Sequence, residues 1–361
     1  MTMRWGTAYR LTIFGSSHGP EVGIEIDGIP DGRPLDLAAI QRELDRRRPV
    51  GRRLATKRAE EDLLIVDRGC VDGRSRGPFR AHVANTDVRR EPYDRLRTTP
   101  RPGHADYPAR VRYGEDADLS GGGIFSGRMT VGLVIAGAIA RQLLAPLGID
   151  LVGFSREIGG VLAAVPDDEP LDELRRRSTA NEVASPDPAA ASQMEATIGA
   201  ARRDGDSVGG VVEIRIVGAP VGLGEPFFDS LESEIAHLAF SVPAVKAIEF
   251  GAGFASARMR GSQHNDPFAL RDGRIVTTSN SAGGILGGLA TGMPIVFRAA
   301  VKPTSSIARP QRTVDLARRE ETELVVTGRH DPCIVPRAVV VLESVAAIAL
   351  ADLALQGGYL K

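Results

Sequence analysis

The segment Ala338–Leu355 carries only two charged residues, Glu343 and Asp352, over a length that suits one long helix. A second stretch, Thr130–Leu147, is rich in Ala, Gly and Leu, the composition of a buried helix packed closely against its neighbours. A helix that is apolar all round needs cover on every side. The longest apolar-looking runs, Val131–Leu147 and Ile285–Ala300, are interrupted by Gly, Pro or charge and fall short of the ~20 residues of a membrane span. The opening MTMRWGTAYRLTIF has no long apolar core followed by a small-residue cleavage site. The expectation is a cytoplasmic chain without a membrane partner.

The rest of the chain supplies strands and further helices. Leu11–Phe14 and the alternating Val22–Asp27 read as strands around the turn Gly15–Pro20, and Gly28–Gly32 turns the chain again. A helix follows with Asp36 as N-cap and Leu37, Ile40 and Leu44 on one face, stopping before Pro49. Gly69–Tyr107 is rich in Arg, Gly, Pro and Asp and reads as long loops with short strands. Asp187 and Pro188 open a helix that ends at Asp204–Gly205, and Val211–Val217 alternates like a strand. Asp229 and Glu232 have the spacing of a capping box for a helix over Leu231–Phe240. Strand and helix alternate without a fixed-period repeat or a low-complexity linker. The 361 residues therefore read as a single α/β domain, 1–361.

The net charge of −1 provides no global attraction to nucleic acid or an anionic membrane, so any anion site must come from local clustering. Residues 46–58, RRRPVGRRLATKR, are such a cluster, with seven Lys or Arg and no acid. A charge run is usually a solvated helix end. Here Glu60, Glu61 and Asp62 lie outside the run and are expected to leave its field uncancelled, while Pro49 and Gly51 let the guanidinium groups converge. Arginine's planar fork suits carboxylate and phosphate, so a polyanion site is indicated. Nucleic acid is disfavoured as the polyanion: aromatic residues are only 5% of the chain, leaving few stacking partners, and no RNA-binding motif is visible. The two cysteines, Cys70 and Cys333, have neither zinc-knuckle nor disulfide-framework spacing, and no metal site is expected.

His18 in FGSSHGP and His104 in RPGHADYP each stand in a glycine-bearing turn, the latter beside Arg101 and Asp106. A lone histidine is more often structural. A loop histidine flanked by Gly and Pro, with an unperturbed pKa of ~6.5, is a candidate proton donor. His264 and His330 are comparable loop residues, whereas His82 and His237 read as structural. The glycine segments LSGGGIFSGR and AGGILGGLATG are neither a dinucleotide fingerprint nor a P-loop. Lys302-Pro-Thr-Ser-Ser306 offers an ammonium and three hydroxyls within five residues, a phosphate cradle.

In order along the chain, FGSSHG, RRRPVGRRLATKRAEED, RPGHADYP, DSVGG, GGILGGLATG, KPTSSI with RPQRTVD, and GRHDPC followed by PRAV resemble the motifs of the chorismate synthase family. The resemblance runs from about Tyr9 to Leu355, and RPGHADYP and GRHDPC are its most specific parts. It implies a β-α-β sandwich with helices packed between antiparallel sheets, an α/β (α+β) fold assembled as a homotetramer. The implied reaction is the 1,4-anti elimination of phosphate from 5-enolpyruvylshikimate 3-phosphate, the last common step of the shikimate pathway, with reduced FMN. Carried onto this chain, the resemblance makes His104 the acid toward the leaving phosphate. It makes His18 the group that protonates the flavin, and Asp331 the assistant to proton removal through flavin N5. Ser126, Pro243, Ala244, Gly287, Lys302, Pro303, Thr304, Ser305, Ser306 and Arg329 match flavin-binding positions. Arg47 and Arg53 match arginines assigned to NADPH in members that reduce their own flavin, and Arg48 and Arg58 are read as substrate or structural arginines.

Some positions depart from the family's usual pattern. Ser16 stands where the family usually has Glu, and Ile124-Phe125-Ser126-Gly127-Arg128-Met129 replaces Arg-Ser-Ser-Ala-Arg-Glu. SRGPFRAHV, residues 75–83, replaces a Thr-Gly-rich stretch. These mark a divergent subgroup. They leave a second reading open, a flavin-binding paralogue of the same fold with lost or altered activity.

Overall fold

The computed structural model describes residues 3–48, 61–86, 98–114, 120–326 and 331–360. The first sheet comprises β1 (Arg4–Trp5), β2 (Arg10–Gly15), β3 (Glu21–Asp27), β4 (Ile65–Val71) and β5 (Arg74–Ala84), all antiparallel, in the order β1-β2-β3-β5-β4. The second begins with β6 (Asp150–Ile158), β7 (Val161–Leu162), β8 (Gly210–Val217) and β9 (Val245–Phe250). Two hairpins follow, β10 (Phe268–Arg271) with β11 (Arg274–Thr277) and β12 (Ile285–Leu286) with β13 (Leu289–Ala290). Strand β14 (Ile295–Val301) then completes the second sheet in the antiparallel order β7-β6-β8-β14-β9, and β15 (Gln311–Asp315) and β16 (Glu320–Leu324) form a last hairpin. The helices are α1 (Leu37–Arg47), α2 (Asp106–Tyr113), α3 (Thr130–Leu144), α4 (Leu171–Ser178), α5 (Pro188–Arg203), α6 (Leu231–Ser241), α7 (Gly261–His264) and α8 (Val335–Gln356).

The two apolar helices form the middle of the molecule. Helix α3 packs on the first sheet, α8 on the second, and the two pack on each other. The expected sandwich of helices between antiparallel sheets is therefore what the chain forms. Strand alternation supplies the inner faces. Val22, Ile24 and Ile26 of β3 and Ile295, Phe297, Ala299 and Val301 of β14 point into one continuous core, while Glu25, Arg68 and Arg80 pair on the outer face of the first sheet. Close approach of the helices depends on Gly137, where a Cβ would stand 2.3 Å from that of Ser344.

Helix α8 is buried at every position from Ala338 to Ala354, including its two acids. Glu343 accepts from Arg46 of α1 at 2.6 Å, Arg141 of α3 at 3.3 Å and the Gly153 amide of β6 at 2.7 Å. Asp352 accepts from the amides of Thr7 and Ala8 and so ties the N-terminal turn to the core. Buried carboxylates with such partners are not stranded charges. Two stretches, Gly127–Leu147 and Val335–Gln356, are long and apolar enough to cross a membrane, which corrects the expectation that such runs fall short of a span. Both are mostly buried within the protein. The apolar run 285–300 is instead a hairpin followed by β14.

The caps Asp36 and Asp187 act as expected, accepting from the amides of Ala39 and of Ala189 and Ala190. At α6 the cap is Ser230, which accepts from the Ser233 amide, rather than Asp229. The stretch read as loops with short strands contains the end of the seven-residue β4 and the whole of the eleven-residue β5. In β5, Phe79, Ala81 and Val83 face the core while Arg74, Arg76 and Arg80 face outward, so the alternation is real but lies behind Gly77 and Pro78.

Candidate active site

A cavity of about 650 Å³ opens where the N-termini of α3 and α8 meet the C-terminal end of α1, the loop ahead of α2 and the ends of α6 and β14. Its size is that of a small-molecule site. Among the residues lining it are His104, Ser126, Pro243, Ala244, Lys302, Pro303, Thr304, Ser305, Ser306, Asp331 and Arg47, all singled out from the sequence.

His104 sits in a tight turn that Gly103 makes possible. Gly103 has φ +72°, and a Cβ there would stand 2.6 Å from Ser305 Oγ. Ser305 donates to the Gly103 carbonyl at 3.0 Å, and Lys302 donates to Ser305, so the 302–306 segment clamps the histidine turn. On the other side Arg101 forms a buried fork with Asp106, at 2.8 and 2.7 Å. The His104 ring places Nδ1 3.3 Å from the Pro102 carbonyl and Nε2 3.0 Å from Ser306 Oγ. Burial, then the Arg101 guanidinium and to a lesser degree the Lys302 ammonium, push its pKa down to about 4. Burial works against charge on Asp106, but the Arg101 fork holds its carboxyl below the usual range. Burial, and after it Lys246, also lowers the Lys302 pKa.

His18 is buried, and its ring packs against the cavity-lining Gly121, where a Cβ would stand 1.9 Å from Cε1. Gly121, Gly122 and Gly123 all have positive φ, and the Gly123 carbonyl accepts from the Ser17 amide, which docks the histidine loop onto the start of α3. His104 thus stands on the cavity wall, whereas His18 is not among the described lining residues and lies behind Gly121.

Charge is organised by residues that the motifs did not single out as site residues. Asp62 is buried and binds two buried guanidinium groups, Arg47 at 3.1 Å and Arg128. Arg47 also donates to Thr130 Oγ1 and the Gly127 carbonyl, and Arg128 to Asn85, which in turn donates to the Ser16 and Gly19 carbonyls beside His18. Arg337 donates to Asp331 at 2.6 Å and to the Arg47 carbonyl at 3.2 Å. Among the described lining residues, Arg47, Arg101, Arg128, Lys302 and Arg337 face Asp62, Asp106 and Asp331, an excess of two positive charges with His104 neutral.

The first three arginines of the basic run are not a free field. Arg46 pairs with Glu43 and Glu343, Arg47 with Asp62, and Arg48 with Asp45 at 3.1 Å. The expectation that neighbouring acids leave the run uncancelled therefore fails at Asp62. Arg48 does not line the cavity, nor does Gly287, which stands in the turn between β12 and β13. Arg53, Arg58, Arg329 and His330 lie outside the described residues.

The cavity gathers anion-binding groups, an imidazole and a buried carboxylate, and it has room for a flavin. Among the described residues Thr304 Oγ1, in a residue that lines the cavity, is buried without a partner, a hydroxyl left for a ligand oxygen. The model of the chorismate synthase family matches residues 9–355. The chain belongs to that family. It is 48% identical over 349 residues to the chorismate synthase of Korarchaeum cryptofilum, covering 96% of each chain. It is 46% identical over 359 residues to that of Dehalococcoides mccartyi, covering 99% of this chain and 98% of that one. A crystal structure of a chorismate synthase superposes with a TM-score of 0.79 at 26% identity, covering 98% of this chain and 93% of the other. The function is that of a chorismate synthase, a lyase of the shikimate pathway that eliminates phosphate from 5-enolpyruvylshikimate 3-phosphate with the help of a reduced flavin. The paralogue reading is not favoured.

Proposed function

We propose that the cavity binds reduced FMN and 5-enolpyruvylshikimate 3-phosphate together and that the chain is a carbon–oxygen lyase acting on phosphates, with His104, His18 and Asp331 as its proton-handling groups. The observation that carries this is the convergence of His104, Lys302–Ser306, Asp331 and four arginines on one cavity. A phosphate monoester carries about −1.5 to −2 at neutral pH. The cavity's positive excess, the unpartnered Thr304 hydroxyl and the N-termini of α3 and α8 all favour such anions. Reduced FMN, when bound, supplies transient electron donation that helps expel phosphate. Lys302, Thr304, Ser305 and Ser126 hold it, with Pro243 and Ala244 forming wall. His104 delivers a proton toward the leaving phosphate, and His18 holds one on the Gly121 side. Arg337 fixes the Asp331 carboxylate in place as a proton acceptor.

For NADPH as the flavin's reductant, the support is the resemblance at Arg47 and Arg53. Arg47 is turned inward onto Asp62, Thr130 and Gly127. The homotetramer rests on the resemblance and on exposed apolar side chains such as Phe227, Phe228, Phe268 and Leu270, suited to cover by further copies. The continuous core supports a single domain, and a cytoplasmic location is proposed because the two membrane-length helices are mostly buried within that core. The deciding experiment is anaerobic incubation with chemically reduced FMN and the enolpyruvyl phosphate, repeated with oxidised FMN plus NADPH. Chorismate in the first arm is expected, and its absence would sink the proposal. The second arm decides self-reduction.

A further inference from the structure

We propose that Ser306 relays the proton from His104 to the departing phosphate, an inference that rests on the reading of His104 as the acid. The two ring nitrogens face different partners. Nδ1 faces the Pro102 carbonyl, an acceptor only, so it keeps its hydrogen. Acid chemistry is left to Nε2, and the Ser306 hydroxyl stands 3.0 Å directly in front of it. Ser306 is itself buried and lines the cavity.

The ring is not free to swing past this hydroxyl. Its turn is held by Ser305 on the Gly103 carbonyl, by the Arg101–Asp106 fork and by the His104 amide on the Arg101 carbonyl. Gln311 of β15 donates to the Ser305 carbonyl, and Thr313 donates to the Pro100 carbonyl at 2.6 Å, so the β15–β16 hairpin braces both sides of the pair. A serine hydroxyl has one hydrogen and two lone pairs. With His104 neutral, that hydrogen points at Nε2. With His104 protonated, Nε2–H donates to Oγ, and one rotation about Cβ–Oγ turns the serine hydrogen toward the cavity.

The transfer balances. The bond between the substrate's ring carbon and the phosphate oxygen breaks, its electron pair leaves with the oxygen, and the ring hydrogen lost as a proton in the elimination leaves its own bonding pair to the new double bond. The Ser306 proton passes to the phosphate, the Nε2 proton passes to Oγ, and the imidazolium becomes neutral imidazole. Serine ends unchanged.

The test is single-turnover phosphate release by the full-length protein under anaerobic conditions with saturating reduced FMN, comparing wild type with Ser306→Ala. The relay predicts a loss of about 10²-fold in the rate at saturating reduced FMN, within the usual span for one acid step and beyond any weakening of FMN binding at this flavin-matched position, while the thermal midpoint changes little. In mixtures of light and heavy water the wild-type rate should bow downward, as for two protons in flight, and the bow should straighten in the variant. A variant as fast as wild type, a defect confined to FMN affinity, or a straight wild-type dependence would each overturn the relay. Failure of the wild type to form chorismate would instead overturn the function on which the relay rests.

Discussion

Substrate binding should draw a proton onto His104. In the free protein its pKa is near 4, so the ring is neutral at pH 7 and has no acidic proton to give at Nε2. The acid role therefore requires the bound substrate to raise that pKa. With the Ser306 hydroxyl between them, the imidazolium and a phosphate oxygen stand about 5.5 Å apart, and two unit charges at that distance and an effective dielectric of about 20 interact by roughly 3 kcal/mol. One pKa unit corresponds to about 1.4 kcal/mol. A phosphate of charge about −1.5 to −2 at that distance thus lifts His104 by about three to four units, to between about 7 and 8; the pull of Arg101 and Lys302 is already contained in the starting value. The sign follows from linkage: the bound form holds the proton more tightly, so binding takes up close to one proton between the free and bound pKa values. Affinity then falls as pH rises through the bound value. Calorimetric titration of the FMN complex with the enolpyruvyl phosphate at pH 6–7, in buffers of different ionisation enthalpy, reads this uptake. His104→Asn removes any contribution from the substrate's own titration. Equal proton uptake by wild type and His104→Asn would refute the reasoning and leave His104 without a proton to donate.

Three substitutions probe the rest of the site. Asp62→Asn leaves two buried guanidinium groups facing each other without their carboxylate, and denaturant unfolding should show a loss of about 3–5 kcal/mol; a change under 1 kcal/mol would mean that solvent reaches the pair. Lys302→Ala removes a charged donor from the cradle and should weaken FMN binding on the order of tenfold to a hundredfold in a fluorescence titration; unchanged affinity would move the phosphate site elsewhere. Gly121→Ala puts a methyl into the His18 ring at a φ of +59° and should cost about 1–3 kcal/mol of stability together with most of the turnover; wild-type turnover would separate His18 from the chemistry.

The parts of the fold legible in the sequence are those with local causes. Asp36 and Asp187 with Pro188 mark helix starts by chemistry confined to one turn, and the apolar α3 and α8 declare their burial by composition. Strand β5 was obscured because its outer face carries arginine and its middle carries Gly77 and Pro78, so the inward Phe79, Ala81 and Val83 are too few to stand out. In the site, the motif residues around His104 and Lys302–Ser306 were visible because each lies within a short run. Asp62 was not, since its meaning depends on Arg47 and on Arg128, sixty-six residues away. Arg337 stands within the PRAV motif, and its task shows only in its bonds to Asp331 and to the Arg47 carbonyl. Arg128 lies in the segment that departs from the family pattern, and the structure gives it a purpose: through Asn85 it holds the loop that carries His18.

The core and the active site are one construction. Helices α3 and α8 point their N-termini at the cavity, and the positive ends of two helix dipoles meet where the proposed function would hold two phosphates. That arrangement needs α8 fixed along its axis, which an apolar surface alone does poorly, since apolar contact is non-directional. Glu343 and Asp352 supply the direction. Glu343 binds Arg46, and the next residue, Arg47, turns into the cavity to meet Asp62; Arg337, at the start of the same helix α8, closes the circuit on the Arg47 carbonyl. The basic run thus begins as structure and becomes site within a single peptide bond. A lone anion-binding patch would need no such anchoring, whereas a proton passed over 3.0 Å between a histidine and a serine does.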